Sequence, residues 1–379
     1  MDKSLKDLSK AKKIVVKIGS AVLTQNTSRL QDKVFKGLAA QIAQFQKKGK
    51  QFVLVSSGAI VAGKSRLKLK QKVLSIPQKQ ATAAVGQSHL IQRWEKNFSP
   101  HQLVTAQILL THSDLSDRTR YLNARHTLLT LINQGVIPII NENDSVIVEE
   151  IKLGDNDTLS AYISSLIEAD LLILLTDQDG LYDQDPKENA NAKLIPLVKK
   201  ITLSLEEMAS LVPGKYGIGG MSTKVLAAKK ASSYGIPTLI ANGHQEKILQ
   251  KIFQGQKTGT LFLPEKDRLA SRKHWIAHVL RPKGKIQVDD GAKMALSEKG
   301  KSLLPSGVQT VQGPFMVGDL VEIADSNDQV FAKGLVNYDS GEIKKIKGKK
   351  TSEIIEILGY KYDDEIVHRN DMLLVKIHE

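Results

Sequence analysis

Cysteine is absent from the 379-residue sequence, which excludes disulfides, thiolate metal sites and cysteine nucleophiles. Long hydrophobic runs are missing as well. The longest purely aliphatic run, residues 171–175, is far shorter than the roughly 20 residues needed to cross a bilayer. Residues 1–13 also lack the apolar core of a secretory signal. We therefore expect a cytoplasmic protein that does not insert into membranes.

The remaining composition is that of an ordinary globular protein, with 41% apolar and 25% charged residues. A length of 379 residues exceeds the usual single domain, so we expect two domains. The formal charge of +14 is unevenly spread, because residues 283–379 carry 14 Lys and Arg against 16 Asp and Glu, whereas residues 1–282 carry 40 against 24. The basic excess therefore lies in the first part, where it favours anionic substrates or nucleic acid.

Five short apolar runs, separated by segments of helical periodicity, cover residues 14–18, 52–55, 136–140, 171–175 and 238–241. This pattern is typical of a parallel sheet covered by helices on both faces. The runs end in KIGS, SSG, NEND, TD and ANG, and ligands collect where the carboxyl ends of such strands meet helix N-termini. We predict an α/β sandwich with one ligand-binding edge, although turns and helix caps use the same residue types.

A change in composition marks the end of this α/β region, because the sequence after residue 263 is polar and basic without a strand pattern. Further on, short strand-like runs alternate with glycine and proline turns, which indicates a small β-rich domain. We predict a first domain, a linker, the β-rich domain and a C-terminal tail over residues 1–263, 264–282, 283–361 and 362–379.

Two segments compete as the phosphate-binding loop. Gly58, Gly63, Lys64 and Ser65 match the P-loop spacing GxxxxGKS directly after a predicted strand. The intervening AIVA is typical of a buried helical turn rather than of a loop around phosphates, so a P-loop NTPase is kept only as the alternative. The preferred segment is GGMSTK at residues 219–224, where glycines let backbone amides approach an anion at the start of a helix.

Charged residues near the predicted strand ends supply a reaction centre. Lys17 lies inside an apolar strand, where a lysine is costly unless it is paired or faces a ligand. Together with Lys224, it would hold the β and γ phosphates of a nucleotide and neutralise charge on the transferred phosphoryl group. Asp155 or Asp157, in the segment GDNDT, would hold the two lysines in place, although either residue also suits a helix cap.

Other polar residues at the same edge suggest where substrate and nucleotide bind. Asp144 and Asn156 would bind a substrate ammonium group, and Thr176 with Asp177 would lie beside the nucleotide. The nine histidines indicate no metal site bound by the protein. His274 and His278 have helical spacing but lack the intervening glutamate of the zinc protease signature.

Seven segments in this order resemble the glutamate 5-kinases: KIGSAVL, SSGAIVAG, LNARHTL, PIINENDSV, GDNDTLSA, LLTDQDGLYDQDP and GGMSTK. The resemblance spans nearly the whole chain and implies an amino acid kinase fold followed by a PUA domain, which opens with GKIQVDDGAKMAL. It implies transfer of the γ-phosphoryl group of ATP to the side-chain carboxylate of L-glutamate. The product would be L-glutamyl 5-phosphate, for proline biosynthesis, and Mg²⁺ would accompany ATP.

The resemblance also implies roles for residues at matching positions. The catalytic residues would be Lys17, Lys224 and Asp157. Glutamate would be bound by Ser57, Asp144 and Asn156. ATP would be contacted by Lys17, Thr176, Asp177, Ile218, Gly219, Gly220, Met221, Ser222, Thr223 and Lys224. Ile218 stands where the family usually carries a small hydroxyl residue, so a hydroxyl contact to phosphate is lost there while backbone contacts are retained.

Other acceptors and partners stay open at this point. Aspartate, acetylglutamate, carbamate and nucleoside monophosphate kinases share this fold, which does not determine the substrate, but SGAIVAG and PIINENDSV favour glutamate. From the family we also expect a homo-oligomer and feedback inhibition by proline. PUA domains commonly bind RNA, and the lysine-rich residues 341–350 suit phosphates. The near-neutral charge of this region nevertheless favours a structural role.

Overall fold

A computed structural model describes residues 8–71, 73–146, 156–186, 188–189, 191–210, 220–264 and 282–375. The chain divides into two units, Met1–Asp267 and Arg268–Glu379. Within the described residues, no helix is both long enough and apolar enough to span a membrane.

The first unit is built on a central sheet. Its strands are β1 (Lys13–Ile18), β2 (Gln51–Ser56), β3 (Thr105–Leu110), β4 (Ile137–Glu142), β5 (Leu171–Thr176), β6 (Leu197–Val198), β7 (Thr238–Asn242) and β8 (Thr260–Phe262). They form one eight-stranded sheet in the order β3-β4-β2-β1-β5-β7-β8-β6. All neighbours pair in parallel except β7 and β8, which are antiparallel.

Helices cover both faces of this sheet. They are α1 (Ser20–Thr24), α2 (Asp32–Gln46), α3 (Ala59–Arg66), α4 (Ile76–Phe98), α5 (His112–Ser116), α6 (Arg118–Asn133), α7 (Asn156–Leu166), α8 (Leu203–Ser210), α9 (Met221–Ser233) and α10 (Ile248–Phe253). Successive residues of a strand point to opposite faces, so Val16 packs in the core under α2 and α4 while Val15 packs in the core under α7 and α9. Parallel strands buried on both sides need the continuous apolar runs seen in the sequence.

All five predicted runs are strands, and the mainly parallel α/β fold is confirmed. Strand β3 was missed because it forms one edge of the sheet and is mostly half-exposed, with the mixed sequence TAQILL. The GxxxxGKS segment forms the turn before α3 and α3 itself. Its glycines serve packing, because a Cβ on Gly63 would lie 1.8 Å from the backbone oxygen of Thr82 on α4.

The second unit is β-rich, as predicted. Its strands are β9 (Gly284–Val288), β10 (Val308–Gln312), β11 (Leu320–Ala324), β12 (Val330–Leu335) and β13 (Met372–Leu374), in the sheet order β10-β9-β11-β12-β13. Its helices are α11 (Asp290–Ser297), α12 (Ser340–Ile346) and α13 (Ile354–Leu358). Ile366, Val367 and Met372 lie in its core. The described part of the predicted tail, up to residue 375, therefore contributes a strand and core side chains to this unit.

Candidate active site

Lys17, Asp157 and Lys224 meet in the first unit. The Asp157 carboxylate lies 2.5 Å from the Lys17 ammonium through Oδ1 and 3.3 Å from the Lys224 ammonium through Oδ2. Thr223 donates its hydroxyl to the same Oδ2 at 2.8 Å. All three charged residues are buried. The structure thus places one acid between the two lysines, as the sequence predicted.

The electrostatics of this centre favour anions. Burial by itself favours the neutral form of Asp157, but the charges of Lys17 and Lys224 outweigh it and hold the pKa of Asp157 well below its ordinary value. Asp157 is therefore ionised at neutral pH. One carboxylate and two ammonium groups leave a formal charge of +1 in a buried place, which is suited to a more highly charged anion such as a polyphosphate.

Three neighbouring elements bring these residues together. Lys17 is on β1, which lies between β2 and β5 in the sheet, and the chain leaves β1 where the Gly19 amide donates to the Leu175 carbonyl. Asp157 is in the first turn of α7, and Lys224 is in the first turn of α9. Helices α7 and α9 pack against the same face of the sheet, so their N-termini converge over the end of β1.

A second polar group begins next to this centre. The Asn156 amide donates to Ser57 Oγ at 3.0 Å and to Asn141 Oδ1 at 2.9 Å, and the Asn141 amide donates to Gln87 Oε1 at 2.8 Å. Sequence reasoning named Ser57 and Asn156 but missed Asn141 and Gln87. Asn141 had a signal, since it opens the NEND segment at the end of β4. Gln87 had none, because a glutamine in the middle of a helix is ordinary.

Asp144 follows β4 in a turn and is half-buried. Burial raises its pKa to about 6. Burial disfavours the ionised form of a carboxyl, and a nearby cation stabilises that form. Asp144 is therefore chemically suited to an ammonium group. Within the described residues, no hydrogen bond or ion pair joins it to Asn156, and its place beside the substrate stays a prediction.

Thr176 and Asp177 lie at the carboxyl end of β5, where Thr176 donates its hydroxyl to Asp177 Oδ1 at 3.2 Å. The adjoining end of β7 is tied to the same place, because the Gly243 amide donates to the Thr176 carbonyl at 2.8 Å. The side chain of Asn242 also donates to Asp179 Oδ1 at 3.0 Å. The ends of β5 and β7 therefore form one polar rim beside β1.

Comparison with known proteins gives the family. The profile of the Amino acid kinase family matches residues 12–242, and that of the PUA domain matches residues 284–358. The glutamate 5-kinase of Geobacter sulfurreducens is 51% identical over 97% of this chain and 99% of its own. The glutamate 5-kinases of Pelobacter propionicus and Thermoanaerobacter pseudethanolicus are 50% and 48% identical over 97% and 96% of this chain, and over 98% of their own chains. The chain belongs to the glutamate 5-kinase family.

Family membership confirms the resemblance inferred from the seven motifs, but it leaves the individual residue assignments as predictions. Gly220, Met221, Ser222 and Thr223 are described, and they form the N-cap and first turn of α9. Five residues discussed from the sequence lie outside the described residues: Asp155, Ile218, Gly219, His274 and His278.

The P-loop alternative does not fit this site. Lys64 is near the C-terminus of α3, and its ammonium donates to the Gln71 carbonyl at 3.4 Å. A P-loop lysine must instead follow a loop whose amides surround phosphates. In the part of the chain that the structure describes, the buried lysines are Lys17 and Lys224. Among the described residues, no group of three His, Cys, Asp or Glu side chains is arranged to hold a metal ion.

Proposed function

We propose that this chain transfers the γ-phosphoryl group of ATP to the side-chain carboxylate of L-glutamate, forming L-glutamyl 5-phosphate in the first step of proline biosynthesis. The observation that carries the proposal is the buried Lys17–Asp157–Lys224 centre. It directly adjoins the amide and hydroxyl groups of Asn156 and Ser57. A cationic centre beside uncharged donors suits transfer between two anions.

The chemistry follows from the charges of the reactants. The glutamate side chain has an ordinary pKa of about 4.3, so it is already ionised at neutral pH and needs no base to make it nucleophilic. The difficulty is repulsion between this carboxylate and the ATP phosphates. Lys17 and Lys224 would offset that repulsion and stabilise charge on the phosphoryl group during in-line transfer. Asp157 would keep both ammonium groups in position.

ATP would be held at the N-terminus of α9. The first amides of a helix have no partner within it and carry partial positive charge, so residues 220–224 suit a phosphate group. Thr176 and Asp177, with Ile218 and Gly219, complete the proposed nucleotide contacts. Mg²⁺ would arrive on the ATP phosphates, since it keeps several waters and is commonly bound through substrate phosphates. When bound, it would neutralise phosphate charge.

Glutamate would be held by Ser57, Asp144 and Asn156. Its two carboxylates need donors and its ammonium group needs acceptors. The Asn156 side chain already donates to Ser57, and its oxygen is a buried acceptor without a hydrogen-bond partner among the described residues. Asp144 offers a second acceptor, and although burial raises its pKa to about 6, it is mostly ionised at neutral pH.

Hydroxylamine trapping tests the proposal. The full chain with Mg²⁺ and ATP should convert free glutamate to glutamyl hydroxamate when hydroxylamine is present, and Lys17→Ala should lose this activity while remaining folded. Aspartate and acetylglutamate serve as competing acceptors. Equal or better turnover of either one would overturn the assignment to glutamate.

For the second unit we propose a structural role rather than RNA binding. Residues 283–379 have two more acids than bases, whereas proteins that bind nucleic acid through phosphates are expected to present an excess of basic residues. A filter-binding titration should show no RNA retention that weakens steeply with salt. Salt-sensitive retention at submicromolar protein would contradict this role.

The proposal extends to assembly, regulation and location. We propose a homo-oligomer that is inhibited by proline and is cytoplasmic, on the basis of family membership. Light scattering after gel filtration would report the mass in solution. Inhibition of hydroxamate formation by proline, relieved by added glutamate, would report the regulation.

A further inference from the structure

Three side-chain amides next to the candidate substrate site form a buried, hydrogen-bonded row. Gln87 on α4, Asn141 at the end of β4 and Asn156 at the start of α7 are 8%, 2% and 8% exposed. Their hydrogen bonds run in one direction, from the Asn141 amide to Gln87 and from the Asn156 amide to Asn141. These residues come from three separate segments of the first unit, and only the fold places them in line.

Once one amide in this row is oriented, the chemistry of the amide group sets the orientation of the others. An amide side chain has a donating nitrogen and an accepting oxygen at opposite corners. Because Gln87 presents its oxygen, Asn141 must turn its nitrogen towards Gln87 and its oxygen towards Asn156. Asn156 must then use its nitrogen on that side, where it also reaches Ser57. Reversing one amide would set donor against donor or acceptor against acceptor.

The atoms at the two ends of this row of amides make no hydrogen bond within the described part of the protein. Gln87 Nε2 and Asn156 Oδ1 are buried and have no hydrogen-bond partner there. Buried polar atoms are rarely left in this state without a reason, and ligand binding is one such reason. Asn156 precedes Asp157 in the first turn of α7, so the row of amides ends at the same helix N-terminus that carries the acid of the lysine centre.

Gln87 is held in place by close helix packing. Its neighbour Gly86 contacts α3 so tightly that a Cβ there would lie 1.8 Å from the Ala59 carbonyl oxygen. The same helices are in close contact at Gly63, where a Cβ would meet the Thr82 carbonyl. Helix α3 itself begins two residues after Ser57. The packing therefore fixes Gln87 relative to the start of α3 and the Ser57 hydroxyl.

We propose that Gln87 is a positioning residue for the acceptor substrate: through Asn141 it orients the Asn156 amide so that Asn156 Oδ1 accepts a hydrogen bond from the substrate ammonium group. The inference rests on the proposed function and deepens it. Gln87 reaches the substrate through Asn141 and Asn156 and takes no part in phosphoryl transfer. It contributes to selection of an amino acid over a plain dicarboxylate.

The test compares two substitutions in the full chain. Gln87→Met keeps nearly the same shape, which cores tolerate best, but removes the oxygen that orients Asn141. Gln87→Glu keeps an accepting oxygen at that place and replaces the free nitrogen with a second carboxyl oxygen, and burial favours the neutral, protonated form of that carboxyl. Gln92→Met is the matched control, because Gln92 lies on the same helix but is exposed. Melting curves and circular dichroism confirm that each variant is folded.

Kinetic constants separate positioning from a general structural effect. For Gln87→Met we expect the KM for glutamate to rise about tenfold, equivalent to about 1.4 kcal/mol. The KM for ATP and kcat should stay within about twofold, because the lost orientation affects ground-state and transition-state binding of the ammonium group equally. Gln87→Glu should stay within about threefold of wild type, since the Asn141 amide keeps its acceptor. Gln92→Met should match wild type.

Glutarate supplies the decisive readout, because it has both carboxylates of glutamate but no amino group. Its inhibition constant against glutamate should be the same for wild type and Gln87→Met. If Gln87→Met weakened binding of glutarate and of glutamate by the same factor, the inference would be overturned. An unchanged KM for glutamate in Gln87→Met would also overturn it. If Gln87→Met does not fold, a tenfold higher KM for glutamate in Gln87→Glu would overturn the inference instead. A folded wild type that forms no glutamyl hydroxamate would instead refute the proposed function, and with it the ammonium partner of Asn156.

Discussion

Replacing Asp157 with asparagine is the most direct test of the buried centre. The substitution preserves the shape of the side chain and removes its charge. In the wild type the carboxylate is 2% exposed and contacts Lys17 at 2.5 Å and Lys224 at 3.3 Å. Asparagine leaves two buried ammonium groups close together without an anion. Removing one partner of a buried ionic group costs about 3–5 kcal/mol, and we expect that loss in the free energy of unfolding of the ligand-free protein.

Nucleotide binding should change the size of this effect. The ATP phosphates supply negative charge to the same lysines, and a ligand that binds only the folded state stabilises it. We therefore expect Mg²⁺ and ATP to stabilise Asp157→Asn more than they stabilise wild type. Activity should still fall, because the lysines are no longer held where charge develops. A fall in kcat of about 10²–10³-fold is typical when such a group is misplaced.

Urea unfolding with and without Mg²⁺ and ATP measures the stability, and hydroxamate formation measures kcat. Asp32→Asn is the control, because Asp32 pairs with Arg93 on the surface, with a side chain that is 64% exposed. An exposed pair of this kind contributes less than about 1 kcal/mol. If Asp157→Asn unfolded at the same urea concentration as wild type and kept its kcat, the ion-pair reasoning would be refuted.

The pH dependence of stability gives an independent check. The folded pKa of Asp157 lies below its ordinary value of 3.8. The carboxylate therefore contributes its full stability above that value, and the contribution is lost only as the pH falls below it towards the folded pKa. The difference between wild type and Asp157→Asn should be constant from about pH 5 to pH 8 and shrink in stronger acid. A difference that disappears near neutral pH would contradict the assignment.

The remaining predictions concern the other lysines, the acid near the substrate and the helix contact. Lys224→Ala should lower kcat by about 10²–10³-fold, whereas Lys64→Ala should leave the rate of hydroxamate formation within about twofold of wild type. Burial raises the pKa of Asp144 to about 6, so its negative charge is lost as the pH falls through that value. The KM for glutamate should then rise by up to about tenfold per pH unit, and Asp144→Asn should remove this dependence. Gly86→Ala would place a Cβ 1.8 Å from a backbone oxygen of α3 and should cost about 1–3 kcal/mol or more in urea unfolding. Gly37→Ala, which meets nothing within 4 Å, should be neutral or slightly stabilising.

The fold was largely predictable because its strands obey a strong rule. A parallel sheet with helices on both faces buries every strand residue, so each central strand is a continuous apolar run. Lys17 stands out because it interrupts such a run, and the glycine and hydroxyl residues around it mark the strand end. Strand β3 escaped notice because an edge strand is half-exposed and carries no such pattern. The core contributions of Ile366 and Val367 were missed because short segments reveal little about what they pack against.

The sequence by itself determined the kind of chemistry, through lysines and glycines at predicted strand ends and through motifs that resemble one family. The sequence also predicted an acid of the GDNDT segment between the two lysines, but only the tertiary structure shows the contacts that hold these side chains together. Asp157 joins Lys17 and Lys224 because α7 and α9 start over the same end of β1. Gln87 joins Asn141 because α4 packs on the face of the sheet to which Ile139 and Asn141 of β4 both point. Such contacts depend on the positions of elements far apart in the chain, and local patterns of residues carry no information about those positions.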